Sequence, residues 1–524
     1  MSLKNQKGIW GTRWFIFSFI VTLAILTSPI VAVQAQGGET AWSNPVKLGD
    51  GWFPDVSTDA SGRVHVVWAS TVAFNDPNAP IDQLNQSNGY DIVLYSYKDI
   101  NQNWSDQHDI IALPQVSGSE ATRPTIYNDN RGSFHLTFRG TSVFYTQTRD
   151  DEASDARTWR KPIPISGNQV AYFSQMTADS QETLHMIFTE NIRTVDCPIC
   201  YHVFYRQSMD NGINWTARVD LSKMDTGAAK PQLLIDKFDY LHVVYEAGRG
   251  GAYGQLSDPT TAFYVASYDG GSTWTNPYEF LVPNGRAKNI TIGQDGLGNL
   301  VVAYLALPEN RVYYQVSGDQ GRTWSEAKAI PGFFGGWNTY PARLDDYSMA
   351  ADSAGSIHLV LVGKLESDTQ KDQLSVLHLT WNGQDWSQPD VIITTQGDMP
   401  EWPRAAIGLG NQLEVAWFVR DKLHIFDSDN GQYTVWAAEK QINAPAFQAV
   451  SWPTPTAVYV PVPTNTPLPP TATPVDPAIS VDPINQQVGS QIYNEYDEMA
   501  TIGKAVIPAL LIILLALVVF RIRK

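Results

Sequence analysis

Seven stretches between residues 54 and 418 share one pattern of apolar and polar positions. Each reads as a strand with alternating apolar residues, a short turn rich in Asp and Gly, and a second, more uniformly apolar strand. The stretches are 54–68, 124–138, 174–188, 231–245, 290–304, 348–362 and, more weakly, 403–418. Their regular recurrence predicts that residues 36–450 repeat one β-rich unit.

The second half of each unit reads as a third strand, a turn and a fourth strand led by Trp. Three copies of this turn share the spacing Ser-x-Asp-x-Gly-x-x-Trp, and we call them the Ser-Asp turns: 208–215, 267–274 and 317–324. The Asp can accept backbone N–H bonds across the turn, the Gly tolerates positive φ, and the Trp buries a large ring. These requirements predict a structural role for Asp210, Asp269, Asp319, Trp215, Trp274 and Trp324.

Four strands per unit, repeated around an axis, predict an all-β fold of the β-propeller type. Seven first halves indicate seven four-stranded blades, with six as the alternative. Either 41–48 or 433–440 is expected to supply the strand that closes the ring.

The Ser-Asp turns resemble the Asp-box, or bacterial neuraminidase, repeats, and the chain from residue 42 to 450 resembles the sialidase-type propeller superfamily. The resemblance implies an arginine triad, a Tyr nucleophile activated by Glu, and an Asp acid/base. It nominates Tyr347 as nucleophile, Glu246 as activator and Asp76 or Asp82 as acid/base. The family's first-blade Arg-Ile-Pro is replaced here by residues 52–54, Trp-Phe-Pro.

Ligand binding is expected on the face that carries the long second-to-third loops and the links between blades. Guanidinium groups suit a carboxylate, and aromatic rings suit the apolar face of a sugar. The candidate ligand-binding residues there are Arg123, Arg286, Arg343, Arg404, Trp337 and Tyr340.

A histidine recurs at one equivalent position in five units, which favours a scaffold role because a catalytic residue is needed only once. The recurring residues are His65, His135, His185, His242 and His358.

Both ends of the chain point to export and anchoring. Residues 1–35 read as a signal peptide, with an uncleaved anchor as the alternative. A Pro/Thr-rich stalk and linker follows the propeller at 451–500, and an apolar helix at 501–520 is long enough to span a bilayer. The basic tail, 521–524, is expected on the cytoplasmic side, which leaves the propeller outside the cell membrane.

The net charge of −17, without a basic stripe, argues against nucleic-acid binding. The two cysteines, Cys197 and Cys200, are expected to form a local disulfide in an exported domain. No metal or cofactor motif was found. The sequence therefore predicts a surface-displayed module that binds a glycan or an extracellular protein; the alternatives are an exo-sialidase-type hydrolase and a structural part of an envelope complex.

Overall fold

The computed structural model describes residues 39–73, 89–114, 122–167, 170–192, 200–223, 227–248, 260–281, 286–336, 345–370, 373–421 and 433–450. These residues form 29 β-strands and one 3-10 helix, η1 (Asp150–Glu152), with no α-helix among them. No helix in these ranges is long and apolar enough to cross a membrane. The predicted signal peptide, stalk, transmembrane helix and tail lie outside them.

The strands form seven antiparallel sheets, the blades of a propeller, which confirms seven blades rather than six. Blade 1 consists of β2 (Trp52–Thr58), β3 (Val64–Ala73), β4 (Gly89–Lys98) and β5 (His108–Pro114). Blade 2 consists of β6 (Thr125–Asn128), β7 (Ser133–Arg139), β8 (Val143–Arg149) and β9 (Ile163–Pro164). Blade 3 consists of β10 (Ala171–Ala178), β11 (Leu184–Asn191), β12 (Tyr201–Ser208) and β13 (Val219–Asp220).

Blade 4 consists of β14 (Ala228–Ile235), β15 (Leu241–Gly248), β16 (Thr260–Ser267) and β17 (Tyr278–Glu279). Blade 5 consists of β18 (Ala287–Gln294), β19 (Leu300–Ala306), β20 (Arg311–Ser317) and β21 (Lys328–Ala329). Blade 6 has β22 (Phe333–Gly335) and β23 (Ser348–Ala351) on one edge of β24 (Ile357–Leu365), followed by β25 (Gln373–Trp381) and β26 (Asp390–Gln396).

Blade 7 closes the ring with both candidate segments. It consists of β27 (Met399–Gly408), β28 (Gln412–Arg420), β29 (Tyr433–Gln441) and, from the other end of the chain, β1 (Val46–Asp50). β29 is the third strand, and β1 pairs with it antiparallel as the fourth. Upstream of β1, Trp42 donates from Nε1 to Asp390 Oδ2 at 2.9 Å, so the N-terminal segment also contacts blade 6.

The second strand of each blade is apolar on both faces because both faces are covered by neighbouring blades. In β15, Val243 and Tyr245 pack against Ile187 of blade 3, whereas Val244 packs against Val302 of blade 5. Each fully buried side chain of this kind contributes about 1.5–3 kcal/mol to folding.

The recurring histidines are buried, and each has a polar group close to both ring nitrogens, which is the scaffold role that their repetition predicts. In blade 3, His185 Nδ1 lies 2.7 Å from Tyr205 Oη, and Nε2 lies 3.2 Å from Asp179 Oδ2. The corresponding contacts join His65 to Tyr95 and Asp59, His135 to Tyr145 and Asp129, His242 to Tyr264 and Asp236, and His358 to His378 and Asp352.

In blades 2, 3 and 4, the tyrosine of the histidine group contacts the Ser-Asp turn of the following blade. The Tyr205 ring meets the edge of Trp274, with centroids 4.9 Å apart, and its hydroxyl lies against Gly271, whose φ is +87°. Within the turn, Asp269 Oδ1 accepts from Thr273 N at 2.8 Å and from Ser267 Oγ at 2.9 Å. The turn therefore fixes a hairpin and also connects two blades.

Blade 7 has Glu414 at the position that His occupies in most blades. Its carboxylate lies 3.3 Å from Lys98 Nζ of blade 1, and Lys98 also contacts Glu439 at 2.5 Å. An ion pair therefore joins the last blade to the first.

The propeller has two faces that follow from its antiparallel strand order. The first-to-second and third-to-fourth turns lie on one face, the turn face; the second-to-third loops and the links between blades lie on the other, the loop face. After β29 the chain runs along the turn face, where Phe447 N donates to Leu409 O at 2.7 Å and Val450 N to Ala60 O at 2.8 Å. The described chain thus ends on the turn face.

Asp150, in η1, gives a pH-dependent prediction. Its carboxyl is buried and accepts from Asn128 Nδ2 at 2.6 Å, and burial raises its pKa from 3.8 to about 7. Because the folded-state pKa exceeds the unfolded value, the stabilising contribution is complete below about pH 4 and is lost as pH rises to about 7. We expect Asp150→Asn to match the wild type at pH 4 and to be about 2–4 kcal/mol more stable at pH 8, measured by urea unfolding.

The control for Asp150 is its exposed neighbour, Asp151→Asn, for which the difference from wild type should not change with pH in this way. A difference between Asp150→Asn and wild type that is the same at pH 4 and pH 8 would contradict the assignment.

Candidate ligand-binding site

Six blades carry a non-glycine residue with positive φ near the loop-face start of the innermost strand. The six φ values lie between 33° and 57°. In five of the six blades the pairing with the second strand shifts register at this residue, as in a β-bulge. These residues, which we call the axial ring, are Phe53, Arg123, Phe173, Lys230, Asn289 and Trp402. Each such conformation costs about 1–3 kcal/mol, so contacts between the side chains must hold it.

One half of the axial ring is an arginine enclosed by aromatic rings. The Arg123 guanidinium lies 4.5 Å from the centroid of Phe53 and 4.6 Å from that of Phe173. Both phenyl rings in turn contact Trp402, at centroid distances of 5.1 and 6.0 Å. Arg123 is buried, so cation–π contact in a desolvated setting replaces much of its hydration.

The other half of the axial ring is a buried charge network around Lys230. Its ammonium donates to Asn289 Oδ1 at 2.9 Å and to Asp345 O at 2.5 Å, and lies 3.5 Å from Glu246 Oε1. Glu246 Oε2 accepts from Asn289 N at 3.2 Å. Burial opposes ionisation of Glu246, but Lys230 and Lys288 outweigh it, and the pKa of Glu246 lies below its ordinary value. Glu246 is thus an anion neutralised by lysine.

Three further carboxyl groups lie beside this network, and burial raises the pKa of each. Asp345 Oδ1 accepts from Trp402 N at 3.1 Å, and its pKa is raised well above the ordinary value. Asp346 contacts Arg404 at 2.9 Å, which offsets part of the rise in its pKa. The pKa of Glu401 is raised to about 7, although Arg420 lies 2.7 Å away. The axis is therefore filled by interacting side chains.

Tyr347 lies in an apolar cluster between blades 5 and 6. Its neighbours there include Leu305, Val312 and Phe333, and a Cβ on Gly335 would lie 2.8 Å from its hydroxyl oxygen. Burial raises the pKa of Tyr347 well above the ordinary value, and the nearby Asp345 charge adds to the effect. This environment keeps the hydroxyl protonated and away from solvent.

Of the remaining candidate ligand-binding and catalytic residues, some make contacts within the protein and the others lie outside the described residues. Arg404 is paired with Asp346 and packs 4.2 Å from the Trp402 ring centroid, next to the ring that contacts Arg123. Arg286 precedes β18 and is partly buried. The candidates outside the described residues are Asp76, Asp82, Arg343, Trp337 and Tyr340.

Cys200 is buried at the start of β12, where its N–H donates to Asn191 Oδ1 at 2.9 Å. Its sulfur lies 3.8 Å from His202 Nε2, and His202 Nδ1 lies 2.7 Å from Asp220 Oδ2. Cys197 lies outside the described residues, so the disulfide stays a prediction. Within the described ranges, no group of three or more His, Cys, Asp or Glu side chains could hold a metal ion.

Sequence reasoning missed most of the axial ring, although a local signal marks it. Proline follows four of the six members, namely Phe53, Arg123, Lys230 and Trp402. A residue-Pro pair that recurs at the start of four first strands would have located most of the ring.

No protein-family model matches the chain, and no curated protein matches its sequence. Similar solved structures include a protein of unknown function from Dyadobacter fermentans (13% identity, 79% of this chain and 100% of that chain, TM-score 0.44). They also include the NanB sialidase from Streptococcus pneumoniae (15%, 80% and 72%, TM-score 0.40) and the intramolecular trans-sialidase from Ruminococcus gnavus (11%, 81% and 99%, TM-score 0.40). The resemblance to sialidase-type propellers is confirmed to this extent, but at these TM-scores it carries no argument about function.

Proposed function

We propose that this protein is a surface-displayed, membrane-anchored propeller that binds an extracellular ligand, either a glycan or a protein, through its loop face. The supporting observation is the axial ring. Its arginine is packed between aromatic rings, and its lysine is bonded to Asn289 and Asp345, as in a rigid platform.

A binding role is favoured over sialidase chemistry by the surroundings of Tyr347 and Glu246. A Tyr nucleophile needs a base close to its hydroxyl and access for the substrate. Glu246 contacts Lys230, Lys288 and Asn289. Tyr347 is fully buried in an apolar cluster, with Asn289 beside its hydroxyl.

The proposed anchoring has a definite geometry. The last described residue, Val450, is bonded on the turn face, and the predicted stalk (451–500) and helix (501–520) follow it in sequence. With this attachment the stalk leaves from the turn face, and the loop face stays clear of the attachment point, so that ligands in the medium or on another cell can reach it.

The decisive test uses the full-length protein with a fluorogenic sialoside from pH 4 to 8. We expect no turnover, and we expect Tyr347→Phe to leave ligand binding unchanged and to alter stability by no more than about 1 kcal/mol. Turnover by the wild type that disappears in Tyr347→Phe would overturn the binding proposal in favour of a sialidase-like hydrolase.

Ligand class and anchoring are tested separately. A glycan array and a pull-down from the cell exterior should recover a ligand that the loop face holds; a stoichiometric envelope complex would instead indicate a structural role.

Deleting residues 501–524 should release the protein from the membrane fraction. Retention after that deletion would contradict the C-terminal anchor and point to the N-terminal segment.

A further inference from the structure

A pocket of about 570 Å³ opens at the loop-face rim between blades 5 and 6, away from the axial ring. Arg311 begins β20, directly after the second-to-third loop of blade 5, and Glu366 follows the end of β24 in blade 6. The wall is formed chiefly by Glu309, Arg311, Tyr313, Pro331, Phe334 and Glu366.

Arg311 is held in place before any ligand arrives. Its guanidinium lies 4.1 Å from the centroid of the Phe334 ring, and Nη1 donates to Phe333 O at 3.3 Å. The same nitrogen is ion-paired with Glu366, and both charged side chains remain partly exposed. A hydrogen-bond donor and an acceptor therefore lie side by side on the pocket wall. Because both side chains are already held in place, ordering them on ligand binding costs little further conformational entropy.

Tyr313 supplies a rigid apolar surface beside this pair. Its ring stacks on Tyr304, with centroids 6.4 Å apart and planes 13° from parallel, and it is only partly buried. Pro331 is exposed on the link between the two blades. An aromatic ring with a fixed orientation, next to a few polar groups, is the usual composition of a site for a small organic ligand.

The charges of the pocket select among such ligands. Arg311, the cation of the described lining, is already ion-paired with Glu366, so an anionic sugar would gain little charge–charge attraction here. Neighbouring hydroxyls of a neutral sugar can each donate and accept, which matches a carboxylate beside a guanidinium.

We propose that this pocket binds one pyranose ring of a neutral glycan. The proposal rests on the proposed function, since it gives the loop face a specific class of ligand and a second site apart from the axis. Arg311 and Glu366 contact adjacent hydroxyls, and Tyr313 packs against the C–H face of the ring.

The test is saturation-transfer difference NMR on the full-length protein in a sugar-free detergent. The probes are cellobiose, lactose and mannobiose at millimolar concentration, with 3′-sialyllactose as the anionic comparison. We expect at least one neutral disaccharide to show transfer, and we expect Tyr313→Leu and Glu366→Ala each to weaken its binding at least tenfold. Tyr278→Leu, which changes an exposed tyrosine in β17 outside the pocket, should bind like the wild type.

Three results would overturn the pocket assignment: no transfer to any neutral probe, transfer that persists in both pocket variants, or a preference for 3′-sialyllactose. The second result leaves the proposed glycan-binding function standing and moves the site elsewhere. If the pull-down recovers a protein ligand and no sugar binds, the proposed binding function stands, but the proposal that this pocket binds a sugar is wrong. Thermal melts of the variants separate loss of the site from loss of the fold.

Discussion

Deletion of residues 39–50 is expected to destabilise the propeller by at least about 5 kcal/mol, because it opens the ring at blade 7. The deletion removes β1 and leaves β29 as an unpaired edge. It also removes Trp42, and with it a hydrogen bond to Asp390, and Glu39, which lies 2.6 Å from Lys440. A partly buried Trp with its hydrogen bond, the Glu39–Lys440 ion pair and five residues of strand together account for an effect of this size. Urea unfolding of the full-length chain, followed by Trp fluorescence, measures it.

The matched control for this deletion is Val46→Ala. The Val46 side chain is exposed, and its backbone pairs with Ala437, so this substitution should change stability by no more than about 0.5 kcal/mol. A deletion variant as stable as Val46→Ala would show that β1 does not hold the ring closed.

Gly271→Ala is expected to cost about 3 kcal/mol or more. A Cβ there would lie 2.5 Å from Tyr205 Cζ and still closer to the hydroxyl oxygen, and Tyr205 cannot retreat because His185 and Trp274 hold it. Overpacking of about 1–3 kcal/mol adds to the cost of a positive φ in a residue with a side chain, which is about 1 kcal/mol. The contact joins blades 3 and 4, so the loss should appear in the global unfolding transition.

The adjacent glycine provides the control, since Gly270 also has a positive φ, +69°, but open space around it. Gly270→Ala should cost only the backbone part, about 1 kcal/mol. If both alanine variants lose the same stability, the clash with Tyr205 is not the cause. Adding Tyr205→Leu to Gly271→Ala should recover part of the clash energy, although it removes the partner of His185.

The blades could be predicted from the sequence because the pattern that specifies each strand and turn lies within a short stretch of chain. Each unit shows apolar–polar alternation over five to eight residues, an Asp/Gly turn and a Trp after a fixed interval. This pattern recurs often enough that one irregular copy does not obscure the repeat. Ring closure could not be decided that way. The segments 41–48 and 433–440 both resemble outer strands, and only their pairing with each other shows that the same blade uses both.

The candidate site was less predictable because its contacts join residues far apart in the chain. Lys230 and Asp345 are adjacent only once the blades are assembled, as are Phe53 and Trp402. The segment around Tyr347 has a familiar local pattern, but that pattern does not say that the side chain turns into the apolar space between two blades. A repeat predicts equivalent backbone positions; it does not predict where each side chain is directed.

The closure of blade 7 has a consequence for the order in which the protein is made. β1 is synthesised before all the other described strands, and its partner β29 begins only at Tyr433. At about 5–20 residues per second, β1 waits roughly 20–80 s for that partner. During this interval β1 and the growing row of blades have unpaired strand edges, which invite pairing with other chains. Expression of this protein should therefore depend on factors that shield unfinished chains until the last strand arrives.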